Sequence, residues 1–231
     1  MSGKRELLDG DFDYSSYLDP SSDKYKRRVQ AYNHEYNRLK KYLPPQGRLL
    51  DIGCGIGSFS ELFGDEWEKY GIEVSKSAKE IAIQKGINFD INSCEKGSFD
   101  LIVFRGSLHY MEPTEILSYS NMMLKRGGII AFLATPNTSS IYYKLFKNLP
   151  FLEKDIKHYL ISDKELRTLL ERMNMDILEI NKPYFNTPYA RPIRDFLFFI
   201  FNLFGARLKF PFYGNMFELF ARKRAVNEGF Y

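Results

Sequence analysis

The chain is poor in cysteine and histidine, and each shortage excludes something. Two cysteines, Cys54 and Cys94, make no CxxC pair and no disulfide framework, so a reducing, cytoplasmic setting is expected. Three histidines and no clustered carboxylates leave no ligand set for a divalent metal, and none is expected. No apolar run approaches the roughly 20 residues of a spanning helix. The longest, residues 196–201, resumes after Asn202 with Leu203-Phe204 and is long enough only to lie on a membrane surface. The first residues lack the apolar stretch of a secretion signal. Charge of one sign is scarce as well. With 33 Lys and Arg against 29 Asp and Glu the net charge is +4, and the clusters at 24–28 and 222–224 read as solvated element ends. A nucleic-acid footprint would be more basic, so no such partner is expected.

What is present is the composition of a globular domain: 231 residues, 44% hydrophobic and 27% charged. Asp19-Pro20-Ser21-Ser22 is a turn and helix N-cap signal, and a helix should follow to about Leu43, before Pro44-Pro45. Short apolar runs then alternate with amphipathic stretches, the mark of βαβ units and a parallel sheet. Strands are expected at 48–52, 69–73, 87–90, 99–104, 128–134, 176–183 and 215–223, with helices near 58–63, 75–85 and 113–124. Ser162 and Glu165 form a capping-box pattern for a further helix.

The most informative stretch is Leu49-Leu50-Asp51-Ile52-Gly53-Cys54-Gly55-Ile56-Gly57-Ser58. An apolar strand leads through an acidic residue into three alternating glycines and a helix start. Glycine lets the backbone turn sharply and approach a ligand closely. Twenty-two positions after Asp51 a second strand ends at Glu73, a carboxylate placed to accept both hydroxyl hydrogens of a ribose. The nicotinamide pattern GxGxxG is not met, because Ser58 stands where its last glycine belongs. A fixed carboxylate at Asp51 would repel a pyrophosphate and suits a cofactor with a cationic amino-acid end.

With these residues the sequence resembles the class I S-adenosylmethionine (SAM)-dependent methyltransferases, whose first motif reads D/E-x-G-x-G-x-G. Ser98-Phe99-Asp100-Leu101-Ile102-Val103 and Met123-Leu124-Lys125-Arg126-Gly127-Gly128 resemble two further motifs of that family. Thr135-Pro136-Asn137 resembles the branch holding ubiquinone-biosynthesis O-methyltransferases and glycan-pathway enzymes. The resemblance implies a Rossmann-like α/β fold with a seven-stranded, mostly parallel sheet, helices on both faces and an antiparallel last strand. The whole chain, 1–231, would be one domain, with a helical cap over 1–46 and an aromatic-rich insertion at 184–214. SAM is the implied cofactor. Asp51, Gly53, Cys54, Gly55 and Gly57 would surround its methionine end, Glu73 its ribose and Val74 its adenine. Asp90, or Asn92 just after it, would approach the adenine amino group, and Arg105 lies at the end of the strand nearest the transferred methyl.

Methyl transfer asks a protein for position and desolvation, and for a base when the acceptor is a hydroxyl. His109 is the expected base or acceptor-orienting group; the plainer reading is that it packs beside the adenosyl group or caps its loop. His158, Tyr142, Tyr189 and Arg191 are the expected substrate contacts. The Phe-rich part of 184–214 reads as core, as an acceptor pocket or as peripheral membrane contact. The acceptor is expected to be a small or carrier-linked hydroxyl compound, a sugar of a surface glycan or a quinone-like lipid. A non-catalytic SAM-binding regulatory or scaffold protein, and an RNA or protein methyltransferase, are the alternatives. Oligomeric state is left open.

Overall fold

The most apolar of the short runs become central strands because they can bury both of their faces. In the computed structural model, which describes residues 14–149 and 151–225, six strands form one sheet: β1 Gly47–Ile52, β2 Trp67–Ile72, β3 Phe99–Arg105, β4 Leu124–Pro136, β5 Met175–Asn181 and β6 Met216–Lys223. Their order is β2-β1-β3-β4-β6-β5. β6 is antiparallel to both its neighbours, and the pairs β1–β2, β1–β3 and β3–β4 are parallel. The pleat sorts the core in two. Leu50, Ile52, Ile102, Phe104, Ile130 and Phe132 face one side, and Leu49, Leu101, Val103, Ile129, Ala131 and Leu133 the other. Each of these buried side chains larger than alanine contributes about 1.5–3 kcal/mol.

Helices cover both faces. Helix α1 is Ser15–Leu18 and α2 is Asp23–Leu39, whose N-terminus is capped by the Ser22 side chain accepting from the Tyr25 N–H at 3.1 Å. Helices α3 Lys76–Gln84, α4 Pro113–Met123, α5 Ile141–Phe146, α6 Asp163–Arg172 and α7 Pro192–Leu203 follow. Tyr32 and Leu39 of α2 pack on one face of the sheet, and Leu117 of α4 with Leu166 and Leu170 of α6 on the other. The capping box at Ser162 and Glu165 forms in full. A third, smaller cluster joins Tyr142 and Phe146 of α5 to Phe198 and Phe199 of α7 and to Phe210 and Phe212.

Two expectations need correction. The sheet has six strands, not seven, because residues 87–90 make a single parallel bridge between Asn88 and Tyr70. The Asn88 side chain accepts from the Asp90 N–H at 2.9 Å, and Ile91–Ser93 then forms a 3₁₀ turn. That local bond competes with strand pairing and ends the run. The helix expected at 58–63 is only a 3₁₀ turn, Ser60–Leu62. The expected 1–46 cap corresponds to α1 and α2; its first 13 residues lie outside the described residues.

Candidate functional site

Parallel strands deliver their C-terminal ends to one edge of the sheet, and the glycine turn after β1 lies there. Gly53, Gly55 and Gly57 have φ of 77°, 55° and 75°, the left-handed region that side chains with a Cβ avoid. Space forbids a side chain too. A Cβ on Gly53 would lie 2.4 Å from the Ser107 Cβ, and one on Gly57 would lie 2.5 Å from Ile87 Cδ1. The turn is anchored to the end of β2: the Gly53 N–H donates to the Ile72 carbonyl at 2.7 Å, and Glu73 accepts from the N–H groups of Gly55, Val74 and Ser75 at 2.8, 2.8 and 2.9 Å.

Around this turn a cavity of about 170 Å³ opens. Asp51, Gly53, Cys54, Gly55, Glu73, Val74 and Arg105, all expected from sequence, line it. Asp51 is buried; its Oδ2 accepts from the Ser60 hydroxyl at 2.6 Å while its Oδ1 has no partner. Burial pushes its carboxyl up to about 6. An unsatisfied buried oxygen costs about 1–3 kcal/mol. A cationic ammonium arriving in the cavity would satisfy it, and Glu73 lies at the far side of the same loop. Burial also raises the Cys54 thiol, which stays protonated and is a packing group.

The opposite wall comes from α1, α2 and the end of β3. Tyr14, Tyr17 and Tyr32 line the cavity, and Arg105 lies over the Tyr32 ring at 3.9 Å. Its guanidinium grips Glu35 through two bonds of 2.6 and 3.1 Å. Burial works against the Arg105 charge, but the Glu35 carboxylate more than offsets it and raises the pKa. The Ser107 hydroxyl donates to the Ile52 carbonyl, tying β3 to β1 under the turn. Tyr110 and Met111 complete this side, and the Tyr110 hydroxyl donates to Glu153 Oε2 at 3.1 Å.

The other expected residues fall elsewhere. Gly57 shapes the turn without lining the cavity, and Asp90 is exposed beyond the single bridge. The 3₁₀ turn Leu108–Tyr110 sends Tyr110 to the cavity and His109 inward, where it is buried and its Nδ1 lacks a partner. Burial, with a smaller push from His158, lowers the His109 pKa to about 3, so it is neutral at physiological pH and weakly basic. His158 lies 5.4 Å from it, ring to ring, with its Nε2 2.9 Å from the Glu153 carbonyl. Tyr142 is buried in the third cluster, its hydroxyl accepting from Asn202 at 2.7 Å, and Arg191 is exposed; neither reaches the cavity. Tyr189 lies near enough to Arg105 for that charge to pull down on its hydroxyl, although burial leaves its pKa raised overall. Sequence reasoning missed Tyr32, Glu35 and Glu153. The one available signal was Glu35, a lone acid in the buried stripe of α2. Among the described residues no group of three His, Cys, Asp or Glu is placed to hold a metal ion.

Comparison with known proteins bears on this cavity. A family model described as a methyltransferase domain matches residues 24–180. No curated protein matches the chain. Among solved structures, a SAM-dependent methyltransferase from Thermotoga maritima is 20% identical, with a TM-score of 0.57 over 88% of this chain and 95% of its own. Geranyl diphosphate C-methyltransferase from Streptomyces coelicolor A3(2), solved with S-adenosyl-L-homocysteine, is 14% identical, with a TM-score of 0.56 over 97% and 92%. Magnesium protoporphyrin IX methyltransferase from Synechocystis PCC 6803, also with that product bound, is 15% identical, with a TM-score of 0.58 over 91% of each chain. At such identities the likeness is one of fold.

Proposed function

Because the chain belongs to the class I SAM-dependent methyltransferases, we propose that it methylates a hydroxyl of a small or carrier-linked acceptor, a sugar of a surface glycan or a quinone-like lipid. The observation that carries the oxygen-methylation reading is the Tyr110 hydroxyl on the cavity wall, already bonded to Glu153. SAM, when bound, supplies an activated methyl on a sulfonium. Asp51 would hold the cofactor's ammonium and Glu73 its ribose hydroxyls, and the glycine turn would let the backbone close on it. Arg105, fixed by Glu35 and Tyr32, would line the methionine end as part of a paired, rigid wall. The acceptor O–H donates to the Tyr110 oxygen as Tyr110 passes its own proton to Glu153. The acceptor oxygen, as it loses its proton, would be free to take the methyl, with S-adenosylhomocysteine as the other product. His109 serves as an uncharged packing partner behind Tyr110, their rings 4.1 Å apart. The aromatic and cationic residues around Tyr189 and Arg191 suit an acceptor larger than the cavity.

The test is to incubate the protein with methyl-labelled SAM and an extract of its own source and to follow the label. Label in the organic phase identifies a lipid-linked or quinone acceptor, and label in a water-soluble glycan fraction a sugar. Glu153→Gln and Tyr110→Phe should each lower turnover about a hundredfold while S-adenosylhomocysteine affinity is unchanged. Unchanged turnover in both would remove the relay, and label recovered only on nitrogen or carbon would overturn the oxygen-methylation reading.

A further inference from the structure

Helix α7 is mostly apolar, and two of its three polar residues, Asp195 and Asn202, are buried. Its inner face, Phe198, Phe199, Asn202 and Asp195, packs into the third cluster or is buried. On a helical projection of 100° per residue the opposite face carries Ile193, Phe196, Leu197, Ile200, Phe201 and Phe204. Ile193 is 81% exposed, Phe196 59%, Phe201 52% and Phe204 85%. A surface helix ordinarily turns a polar face outward. Exposed apolar area this continuous marks a surface that something covers.

Charge says what the cover is. Arg191 and Arg194 stand at the start of α7, and Arg207 and Lys209 follow its end; all four are exposed. Across 184–214 the only acid is Asp195, which is buried and bonded to Arg194 Nη2 at 2.6 Å. A second copy pressed face to face would bring these cations together with no exposed acid in the segment to meet them. An anionic bilayer surface offers both halves of the complement, acyl chains for the aromatic ridge and phosphates for the four cations. Twelve residues at about 1.5 Å each give a helix too short to cross the hydrocarbon, which fits a helix lying in the interface plane.

We propose that the outer face of α7 docks the protein on anionic phospholipid membranes, with Phe196, Phe201 and Phe204 entering the headgroup–acyl boundary and Arg191, Arg194, Arg207 and Lys209 meeting headgroup phosphates. This inference rests on surface chemistry alone and stands whatever the methyl acceptor is. α7 follows the 184–190 loop that carries Tyr189 to the vicinity of Arg105, so a docked protein holds its cavity close to the bilayer.

Flotation of the full chain with large unilamellar vesicles tests it, comparing phosphatidylcholine with phosphatidylcholine–phosphatidylglycerol mixtures. Binding should appear on the anionic vesicles and weaken as salt rises. The double variant Phe196→Asp/Phe201→Asp should reduce partitioning by about tenfold or more, and Arg207→Glu/Lys209→Glu should reduce it several-fold on anionic vesicles only. Both pairs are exposed, so melting temperature and S-adenosylhomocysteine affinity should not change. Failure of the parent chain to bind anionic vesicles, or equal binding by Phe196→Asp/Phe201→Asp, overturns the proposal. So does a parent dimer that this same variant splits into monomers, since a second copy would then cover the face.

Discussion

Asp51 would meet two opposed demands under the proposed function: it is buried under the turn, and it would have to be ionised to hold a cation. Its raised carboxyl, at about 6, measures the conflict. In the free protein the penalty of burying the charge is full above pH 6 and is relieved as pH falls toward the ordinary value of 3.8. A bound ammonium favours the ionised form. S-adenosylhomocysteine affinity should therefore be flat above about pH 7 and fall as pH drops through 6, which calorimetric titration across pH reads directly. Asp51→Asn should weaken that affinity by roughly tenfold to a hundredfold while leaving the melting temperature of the free protein unchanged or higher. A lower melting temperature with full affinity would make the carboxylate structural. Asp51 and Glu73 were legible in the sequence because the glycines fix where a neighbouring carboxylate must point. Glu153 was not, since it reaches Tyr110 from 43 positions away. His109 drew attention because an imidazole can take a proton near neutral pH; one step along a 3₁₀ turn puts Tyr110, not His109, on the cavity wall.

At the level of elements, what could be read in advance was what local chemistry decides. Ser162 and Glu165 announce the start of α6, and both reciprocal bonds form. Ser162→Ala should lower stability by about 1 kcal/mol in urea denaturation with little change in cofactor affinity. The expected strand at 87–90 went wrong for a local reason as well: Asn88 and Asp90 bond to each other, and one bridge survives where a strand was expected. That loss leaves Asp90 exposed and takes it out of the cavity. The Phe-rich segment was ambiguous because its polar residues Asp195 and Asn202 lie on the buried side of the helix, the reverse of the usual pattern. Only tertiary packing separates Phe198 and Phe199, in the cluster, from Phe196 and Phe201, outside it.

For the molecule as a whole, the cavity couples binding to stability. It brings together side chains from α1, α2, β1, the β2 end and the β3 end, so a ligand that bridges them stabilises several elements at once. S-adenosylhomocysteine at a hundred times its dissociation constant should add about 2.7 kcal/mol, a rise in melting temperature of roughly 5–10 °C by scanning calorimetry. NADH should give no rise. The order of the sheet also bears on how the chain is made. β6 pairs with β4 on one side and β5 on the other, yet it is synthesised after both. Until Met216–Lys223 has emerged from the ribosome, β5 has no partner in the sheet and the edge of β4 lies open. The nascent chain therefore completes its sheet only after nearly all of its described residues have been translated, and in that interval the open edge of β4 is the surface a chaperone would have to guard.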